Sequence, residues 1–399
     1  MLQPADNSFG VLRLAMALAV VVSHSFYLAT GIEDVSEPLH GITGYTLGQH
    51  AVQVFFILSG ILVTQSLVRG GVWSFLKARA LRIFPGLVVC VLLTALVLGP
   101  LASGLGARDY FSSPAVFGYI AQTLSLKTGL APLPGVFADN PAHGVVNSSV
   151  WTLKYEVVCY LALAIAGGLA LRLGVARLAG LTVLSAFLLL SIFERPDLAE
   201  NNNLLQTLQY FALFFGTGVL AYVYRDALVV HWTGVVLTAL LLAVTNGTRF
   251  AEFGQALFLC YVSIWVATFR FGPLRAATNR LDCSYGVYIY GVPVAQLLLL
   301  LAPGLDAYAL IAVSTPIILA LATLSWALIE RPALALRHPR RKAGPATGPA
   351  NLQNVNEAPH LIRRVSPASA TGFLNDHGRR PARIVRDLKA PAGFRIVAA

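Results

Sequence analysis

Residues 9–26 read FGVLRLAMALAVVVSHSF, an apolar stretch that contains two ionisable residues, Arg13 and His24. These residues are eleven positions apart, close to three turns of an α-helix, so a helix places them on one face. At a rise of roughly 1.5 Å per residue they lie about 16 Å apart, one near each end of a membrane span. Because hydrocarbon solvates neither a charge nor a ring N–H group, a histidine at this depth is a candidate functional residue.

The composition of the whole chain also predicts a membrane protein. Of its 399 residues, 56% are hydrophobic and 12% are charged, and the mean hydropathy is +0.69. A single soluble core cannot bury that much apolar surface. The four cysteines are widely spaced in or beside apolar runs, which favours core positions over a metal site or a disulfide framework. We also expect no cleavable signal peptide, because the first apolar run contains ionisable residues and no small-residue cleavage pattern follows it.

Apolar windows along the chain predict an all-α integral membrane protein with about ten transmembrane helices in one bundle. Lys and Arg collect in the loops on the side of the amino terminus, ten against four, so both termini are predicted to be cytoplasmic. The long loop from about 102 to 146 is expected to hold re-entrant or substrate-covering elements. The predicted spans are 9–29, 49–68, 80–101, 147–168, 178–193, 205–223, 232–246, 254–270, 284–302 and 308–328.

The end of the chain differs sharply in composition from the rest. From residue 331 onward there are 13 basic and 3 acidic residues, a net charge of +10 within the chain's total of +11. We therefore divide the chain into a membrane domain, residues 1–335, and a disordered basic cytoplasmic tail, residues 336–399. The tail either anchors on anionic lipid or docks a partner. Because the membrane domain is nearly neutral, the overall basicity is no evidence for nucleic-acid binding.

The stretch FLKARALRIFP at 75–85 holds Arg79 and Arg82, three residues apart and so neighbours on one helix face. We place this face at the cytoplasmic mouth of the third span. Two guanidiniums there suit a phosphorylated ligand, because Arg forms planar, charge-assisted pairs with phosphate oxygens. The alternative is that they are ordinary basic residues of the cytoplasmic side.

The segment VNSSVWTLKYEVVCYLAL at 146–163 places Glu156 inside a predicted span. This carboxylate could exchange a proton, orient a histidine or pair with a buried arginine. Trp151 is more typical of an interfacial aromatic belt than of a site. Ser284 and Tyr285 carry hydroxyls near the inner end of the ninth span, where they bond either a ligand or a neighbouring helix.

Two glycine motifs indicate close helix packing rather than chemistry. Gly60 lies within the second predicted span, and Gly218 lies in FFGTGVL at 214–220. Small residues allow membrane helices to approach closely, because no side chain separates the backbones.

Taken in order, these motifs resemble the acyltransferase type 3 family of integral membrane O-acyltransferases that modify cell-surface sugars. The resemblance covers roughly residues 9–335. It rests on Arg13 and His24 in the first span and on VQVFFILSGIL at 52–62, RALRIFP at 79–85, VWTLKYE at 150–156, FFGTGVL at 214–220, DCSYGVYIYGVP at 282–293 and IERP at 329–332.

The resemblance implies transfer of an acyl group, commonly acetyl, from cytoplasmic acyl-CoA to a hydroxyl of a cell-surface or lipid-linked carbohydrate. Exopolysaccharide and lipopolysaccharide are acceptors of this class. His24 matches the family's catalytic histidine, Arg13 the arginine paired with it, and Arg79 with Arg82 the pair that handles the acyl donor. The site expected on this basis has catalytic His24 and Glu156, acyl-CoA-binding Arg13, Arg79 and Arg82, and supporting Trp151, Ser284 and Tyr285.

In the mechanism we expect, neutral His24 removes the proton of the acceptor hydroxyl as it attacks the thioester, and Glu156 orients the imidazole ring. A covalent acyl-histidine intermediate stays open. We expect neither a metal nor a permanently bound cofactor, with acetyl-CoA as the co-substrate. One departure from the family pattern is Gly291, where many relatives have a histidine.

The expected setting is the bacterial inner membrane, with acyl-CoA, a carbohydrate or glycolipid acceptor and membrane lipids as partners, and no nucleic acid. The rival function is a transporter or flippase for a lipid-linked sugar, since buried Arg, His and Glu side chains also describe a substrate pathway. A third possibility is a sensor that binds lipid or sugar without chemistry. The sequence does not indicate the oligomeric state, the sugar or the hydroxyl.

Overall fold

The computed structural model describes residues 7–32, 37–128, 130–175 and 204–337. Every regular element in these ranges is a helix, so the predicted all-α class is confirmed there. The predicted span 178–193 and residues 338–399 of the predicted tail lie outside them. The principal helices are α1 (Phe9–Thr30), α2 (Leu47–Leu93), α3 (Pro114–Leu124), α4 (Leu153–Ala162), α5 (Leu204–Val223), α6 (Trp232–Thr245), α7 (Ala251–Ala267), α8 (Gly272–Arg280), α9 (Ser284–Leu301) and α10 (Ala307–Ser325).

Six helical stretches of the described chain are long and apolar enough to cross a membrane, as expected of a multi-pass membrane protein. Helices α7 and α8 form a pair bent by 103°, which makes a seventh span if the pair is counted as one. Helix α6, predicted as a span, has only 14 residues and is shorter than a hydrocarbon layer of about 30 Å. The predicted number of ten is therefore not confirmed, and the cytoplasmic placement of the termini stays a prediction. The six stretches are Phe9–Thr30, Leu47–Ala102, Ser148–Arg172, Leu204–Val223, Ser284–Leu301 and Ala307–Ala335.

The second and third predicted spans, 49–68 and 80–101, belong to one helical stretch of 56 residues. A helix replaces the loop expected between them, and within α2 only Gly71 leaves the helical conformation, with φ 70° and ψ 172°. Glycine reaches positive φ without the clash that a Cβ would cause, so the chain changes direction there and resumes the helix at once. Arg79 and Arg82 lie on this helix, as their predicted placement on one helix face requires.

Helices α2 and α5 approach each other at two glycines. A Cβ added to Gly60 would lie 2.2 Å from the carbonyl oxygen of Phe215, and one added to Gly218 would lie 2.1 Å from that of Ile57. Both distances are far below van der Waals contact, so only glycine allows the backbones to lie this close. The packing role predicted for these two residues is confirmed.

Helix α1 packs against α2, α9 and α10, which brings the predicted Arg13 and His24 to the middle of the bundle. Its small residue Ala17 packs with Val287 of α9 and Ile318 of α10, and all three are buried. The four cysteines are free thiols in buried positions, as the sequence predicted.

Hydrogen bonds attach the loop that precedes α4 to helix α9. Asn140 Nδ2 donates to Gln296 Oε1 at 2.7 Å, and Gln296 Nε2 donates to the carbonyl oxygen of Val145 at 2.8 Å. Asn147 Nδ2 donates to the carbonyl oxygen of Ile289 at 2.9 Å. Because buried amides bonded on several sides hold a loop in one place, the 3-10 helix Ser148–Thr152 that follows starts from a fixed position.

Candidate active site

A cavity of about 110 Å³ lies among α1, α2, α4 and α9. Six of the eight residues predicted for the site line it, whereas His24 and Trp151 are not among its lining residues. The space is large enough for several water molecules. The predicted residues that line it are Arg13, Arg79, Arg82, Glu156, Ser284 and Tyr285.

At one end of the cavity, two arginines and two carboxylates form a continuous chain of ion pairs. Asp282 Oδ2 lies 3.0 Å from Arg13 Nη2 and 3.0 Å from Arg82 Nη2. Arg82 Nη1 lies 3.0 Å from Glu330 Oε2, and the Glu330 side chain is 1% exposed. The four charges cancel, as they must for a buried cluster to be tolerated.

The position of Asp282 sets its protonation. Burial raises the pKa of the Asp282 carboxyl, but the guanidiniums of Arg82 and Arg13 and a hydrogen bond from Ser284 outweigh it and lower that pKa to about 2. Ser284 Oγ donates to Asp282 Oδ1 at 2.8 Å. The carboxylate is therefore ionised at every pH at which the protein works, and the chain of ion pairs does not titrate through it.

Arg79 differs from the other two arginines. No ion pair of the described residues includes it, and its Nε is buried without a hydrogen-bond partner. Its guanidinium lies over the ring of Tyr160, 5.9 Å from the centroid, which holds a cation without neutralising it. Arg79 thus presents to the cavity a positive charge that is in no ion pair of the described residues.

Glu156 lies near Arg79 and not near His24 in the hydrogen-bond network. Its Oε1 accepts hydrogen bonds from Ser59 Oγ at 2.8 Å and from the Tyr160 hydroxyl. Glu156 lines the cavity, but no hydrogen bond among the described residues joins it to His24, which it was expected to orient. Tyr160 instead connects this carboxylate to the arginine that its ring supports.

His24 lies beyond the cavity, farther along α1. Its Nδ1 is 3.4 Å from Ser149 Oγ, a buried hydroxyl of the 3-10 helix Ser148–Thr152. Thr152, at the other end of this short helix, lines the cavity. In a 3-10 helix residues three apart lie on one face, so Ser149 and Thr152 connect His24 to the cavity over one turn.

The supporting residues named from the sequence contact protein groups. Tyr285 donates its hydroxyl to the carbonyl oxygen of Ile83 at 2.8 Å, and its ring lies 5.6 Å from the guanidinium carbon of Arg82. The Ser284 hydroxyl thus supports the ion-pair chain through Asp282, and the Tyr285 ring supports it through Arg82. Trp151 packs edge-on against Tyr155, with ring centroids 5.8 Å apart.

Sequence reasoning missed Asp282, Glu330, Ser149 and Thr152. Asp282 and Glu330 stand in two of the quoted motifs, and a carboxylate inside an apolar segment is the signal that singled out Glu156. That signal identifies Glu330 as a candidate, whereas its arginine partner is 248 positions away and only the fold shows it. The described residues contain no group of three His, Cys, Asp or Glu side chains able to hold a metal ion.

Comparison with known proteins gives one family and two named relatives. The family model described as an acyltransferase domain matches residues 6–330. An O-acetyl transferase of Shigella phage Sf6 is 31% identical over 348 residues, which are 84% of this chain and 98% of that protein. Nodulation protein 10 of Rhizobium leguminosarum bv. viciae is 28% identical over 360 residues, 83% of this chain and 94% of that protein. No solved structure matches the chain.

Proposed function

The chain belongs to the acyltransferase family whose domain it matches over residues 6–330, and from this premise we propose that it moves an acetyl group from cytoplasmic acetyl-CoA to a hydroxyl of a cell-surface or lipid-linked carbohydrate. Acetyl is the group in the name of the phage relative, which is similar over almost its full length. The carbohydrate acceptor is the one that the sequence motifs imply through their family resemblance.

The observation that carries the proposal is the guanidinium of Arg79, which is in no ion pair of the described residues, in a cavity joined to His24 by one helical turn. Arg13 and Arg82 are already neutralised by Asp282 and Glu330, so Arg79 supplies the charge that attracts a phosphate of acetyl-CoA. Of the three arginines expected to bind the donor, we assign direct contact to Arg79. The other two shape the site through their ion pairs.

His24 is the general base in this proposal. Its neutral ring accepts the proton of the acceptor hydroxyl while the hydroxyl oxygen attacks the thioester carbon. When the tetrahedral intermediate collapses, the C–S bond breaks and the imidazolium returns the proton to the leaving thiolate. Ser149 takes the orienting role that the sequence assigned to Glu156, because its hydroxyl lies beside Nδ1. The carboxylate of Glu156 holds Tyr160 beneath Arg79.

The acceptor and the donor reach this site from opposite sides of the bacterial inner membrane in our proposal. The excess of Lys and Arg in alternate loops supports a cytoplasmic amino terminus, which places Arg13 toward the cytoplasm and His24 toward the outer surface. Acetyl-CoA then enters at the arginines, and the sugar meets the acetyl group near His24.

The test is acetyl transfer by the purified protein in lipid nanodiscs, with radiolabelled acetyl-CoA and glycolipid from the host envelope. We expect ester-linked label on the glycolipid with wild type and a loss of at least about 100-fold in His24→Ala, the range that general-base catalysis spans. His40→Ala is the matched control, because His40 lies outside the cavity and the spans. Glycolipid that crosses the bilayer unmodified would overturn acyl transfer in favour of a flippase.

A further inference from the structure

Two hydroxyls face each other in the wall of the cavity, and the proposed reaction so far uses neither of them. Thr152 Oγ1 and the Tyr288 hydroxyl are 2.6 Å apart. Both residues line the cavity, and they are 5% and 9% exposed. Thr152 ends the 3-10 helix that begins at Ser148, and Tyr288 comes from the second turn of α9.

The two hydroxyls together can donate one more hydrogen bond than they donate in the structure. Each hydroxyl carries one proton and can donate once. The bond between Thr152 and Tyr288 uses one of the two protons, and no other hydrogen bond of either side chain occurs among the described residues. One O–H group of the pair therefore has no acceptor among the described residues, and both side chains line the cavity. It is available to an acceptor atom of a bound ligand.

The pair lies close to the reacting histidine. Thr152 is three residues after Ser149, whose Oγ is 3.4 Å from His24 Nδ1. One turn of a 3-10 helix advances roughly 6 Å, and both side chains lie on the same face. A ligand atom bound by the hydroxyl pair is thus about one helical turn from the point where the acceptor is deprotonated.

The pair is also held in place before any ligand arrives. The Tyr288 ring packs edge-on against Phe55, with centroids 6.1 Å apart. Thr152 is held by the 3-10 helix that follows the loop attached to α9. Donors that are already oriented need no reorganisation during a reaction, which is the condition for efficient stabilisation of a developing charge.

We propose that Thr152 and Tyr288 form the oxyanion-binding group of this enzyme, donating a hydrogen bond to the thioester carbonyl oxygen of the acyl donor. The inference rests on the proposed acyl transfer and names catalytic residues for it. The ligand is the acyl thioester end of acetyl-CoA, whose phosphates meet Arg79, another lining residue of the cavity.

The chemistry of the step is balanced with these groups. As the acceptor oxygen bonds to the carbonyl carbon, the C=O electron pair moves onto the oxygen, and the free O–H of the pair bonds to it. His24 holds the acceptor's proton. The electron pair then re-forms the C=O bond, the C–S bond breaks, and the thiolate takes the proton from His24. Because the two hydroxyls are bonded in series, negative charge on the oxygen strengthens both hydrogen bonds.

The test compares Tyr288→Phe with Tyr290→Phe in the nanodisc assay. Both residues are buried tyrosines of α9, but Tyr290 does not line the cavity, and its hydroxyl lies 3.5 Å from Ser325 Oγ. For Tyr288→Phe we expect kcat to fall by about 100-fold, the cost of one lost oxyanion donor, while KM for acetyl-CoA changes by less than about threefold. For Tyr290→Phe we expect kcat within about twofold of wild type, because its hydroxyl is not in the reaction path.

A second pair of variants distinguishes the loss of a hydroxyl from a folding defect. Thr152→Val keeps the shape of the side chain and removes its hydroxyl, whereas Thr152→Ser keeps the hydroxyl. We expect Thr152→Val to lower kcat by at least about tenfold and Thr152→Ser to stay within about threefold of wild type. Thermal unfolding of each variant reports whether the protein is intact.

The outcomes separate the two proposals. If wild type transfers acetyl and Tyr288→Phe retains the kcat of Tyr290→Phe, the oxyanion role is overturned and acyl transfer stands. A rise in KM at unchanged kcat also overturns the role, because it shows that the hydroxyl binds the ground state alone. If Tyr288→Phe does not fold, equal activity of the two Thr152 variants overturns it. Absence of transfer by intact wild type overturns both proposals.

Discussion

The two ends of the cavity satisfy their polar groups in different ways. At the arginine end, Asp282 is shared by two guanidiniums and Glu330 takes a second bond from Arg82, so nearly every charge has a partner. Toward His24, the contacts among the described residues are single hydrogen bonds between neutral hydroxyls and a ring. The ion pairs of Arg13 and Arg82 form an ionic network, whereas the hydroxyls keep hydrogen-bonding capacity in reserve.

This difference suits the two tasks of an acyl transfer enzyme. The donor arrives with its phosphates already charged, so a site for it needs a stable positive group, and a surrounding network keeps that group in place. At the reaction end, charge exists only while the oxyanion and the imidazolium are present. A neutral end therefore favours the transition state over the resting state, which is the requirement for catalysis.

The largest expected effect is the loss of the shared carboxylate. Asp282→Asn leaves Arg13 and Arg82 facing each other without their common anion, and breaking a buried pair of this kind costs about 3 kcal/mol of unfolding free energy. The folded-state pKa of Asp282 is about 2, below its ordinary value, so its stabilisation is complete above about pH 4 and is lost as the pH falls toward 2. A measurement at pH 7 therefore records the full effect.

Thermal unfolding in detergent measures this loss. The four buried cysteines become reactive as the protein opens, so a thiol-reactive dye reports the transition. Asp109→Asn is the control, because Asp109 is exposed on the short helix Ala107–Ser112. Equal unfolding temperatures for the two variants would show that the ion-pair chain does not hold the bundle together.

The next effect separates two arginines that the sequence treats as equivalent. Arg79→Gln removes a positive charge that lies outside the ion pairs, and we expect kcat/KM for acetyl-CoA to fall 10–100-fold, about 2 kcal/mol, mostly through KM. Its unfolding temperature should stay near that of wild type, since no ion pair of the described chain is broken. Arg82→Gln should show the opposite, with a clear loss of stability because it leaves Glu330 buried without its cation.

The opposite pattern of KM and stability in the two variants would contradict our assignment. A normal KM in Arg79→Gln together with a raised KM in a well-folded Arg82→Gln would mean that the donor's phosphates bind in place of the ion pairs. Initial rates at several acetyl-CoA concentrations, normalised to folded protein, decide between the two results.

The sequence predicted the helices better than their connections. Apolar length located most of the helices to within a few residues, because a membrane helix must satisfy its backbone internally and its composition shows it. The continuous helix through Gly71 was missed because Arg69, Gly70, Gly71 and Lys77, between the two predicted spans, are typical of a short cytoplasmic loop. In the structure they extend α2 and carry Arg79 into the cavity.

The site was predictable as a list of residues and not as a set of partners. Arg13, Arg79, Arg82 and Glu156 could be named because a charge in an apolar segment is costly and so indicates a function. The ion pairs join residues that are far apart in the sequence, such as Arg82 and Glu330, so only the fold shows them. Ser149 carries no charge, and nothing in its local sequence marks it, so only the fold reveals that it lies beside His24.

The smallest effect concerns the hydroxyl beside His24. Ser149→Ala removes the hydrogen bond at Nδ1 and leaves the ring held by packing alone. A single neutral hydrogen bond contributes about 1 kcal/mol, so we expect kcat to fall roughly fivefold at unchanged KM for acetyl-CoA.

Ser148→Ala is the matched control for this change. The Ser148 hydroxyl is buried one residue away and has no hydrogen-bond partner in the part of the chain that the structure describes, so its removal breaks no hydrogen bond there. The two serines thus separate a positioning effect from a general disturbance of the 3-10 helix, which both substitutions would cause alike. If Ser148→Ala and Ser149→Ala lower kcat equally, the ring of His24 does not depend on Ser149. A loss confined to Ser149→Ala would show that a neutral hydroxyl sets the orientation for which the sequence had favoured a carboxylate.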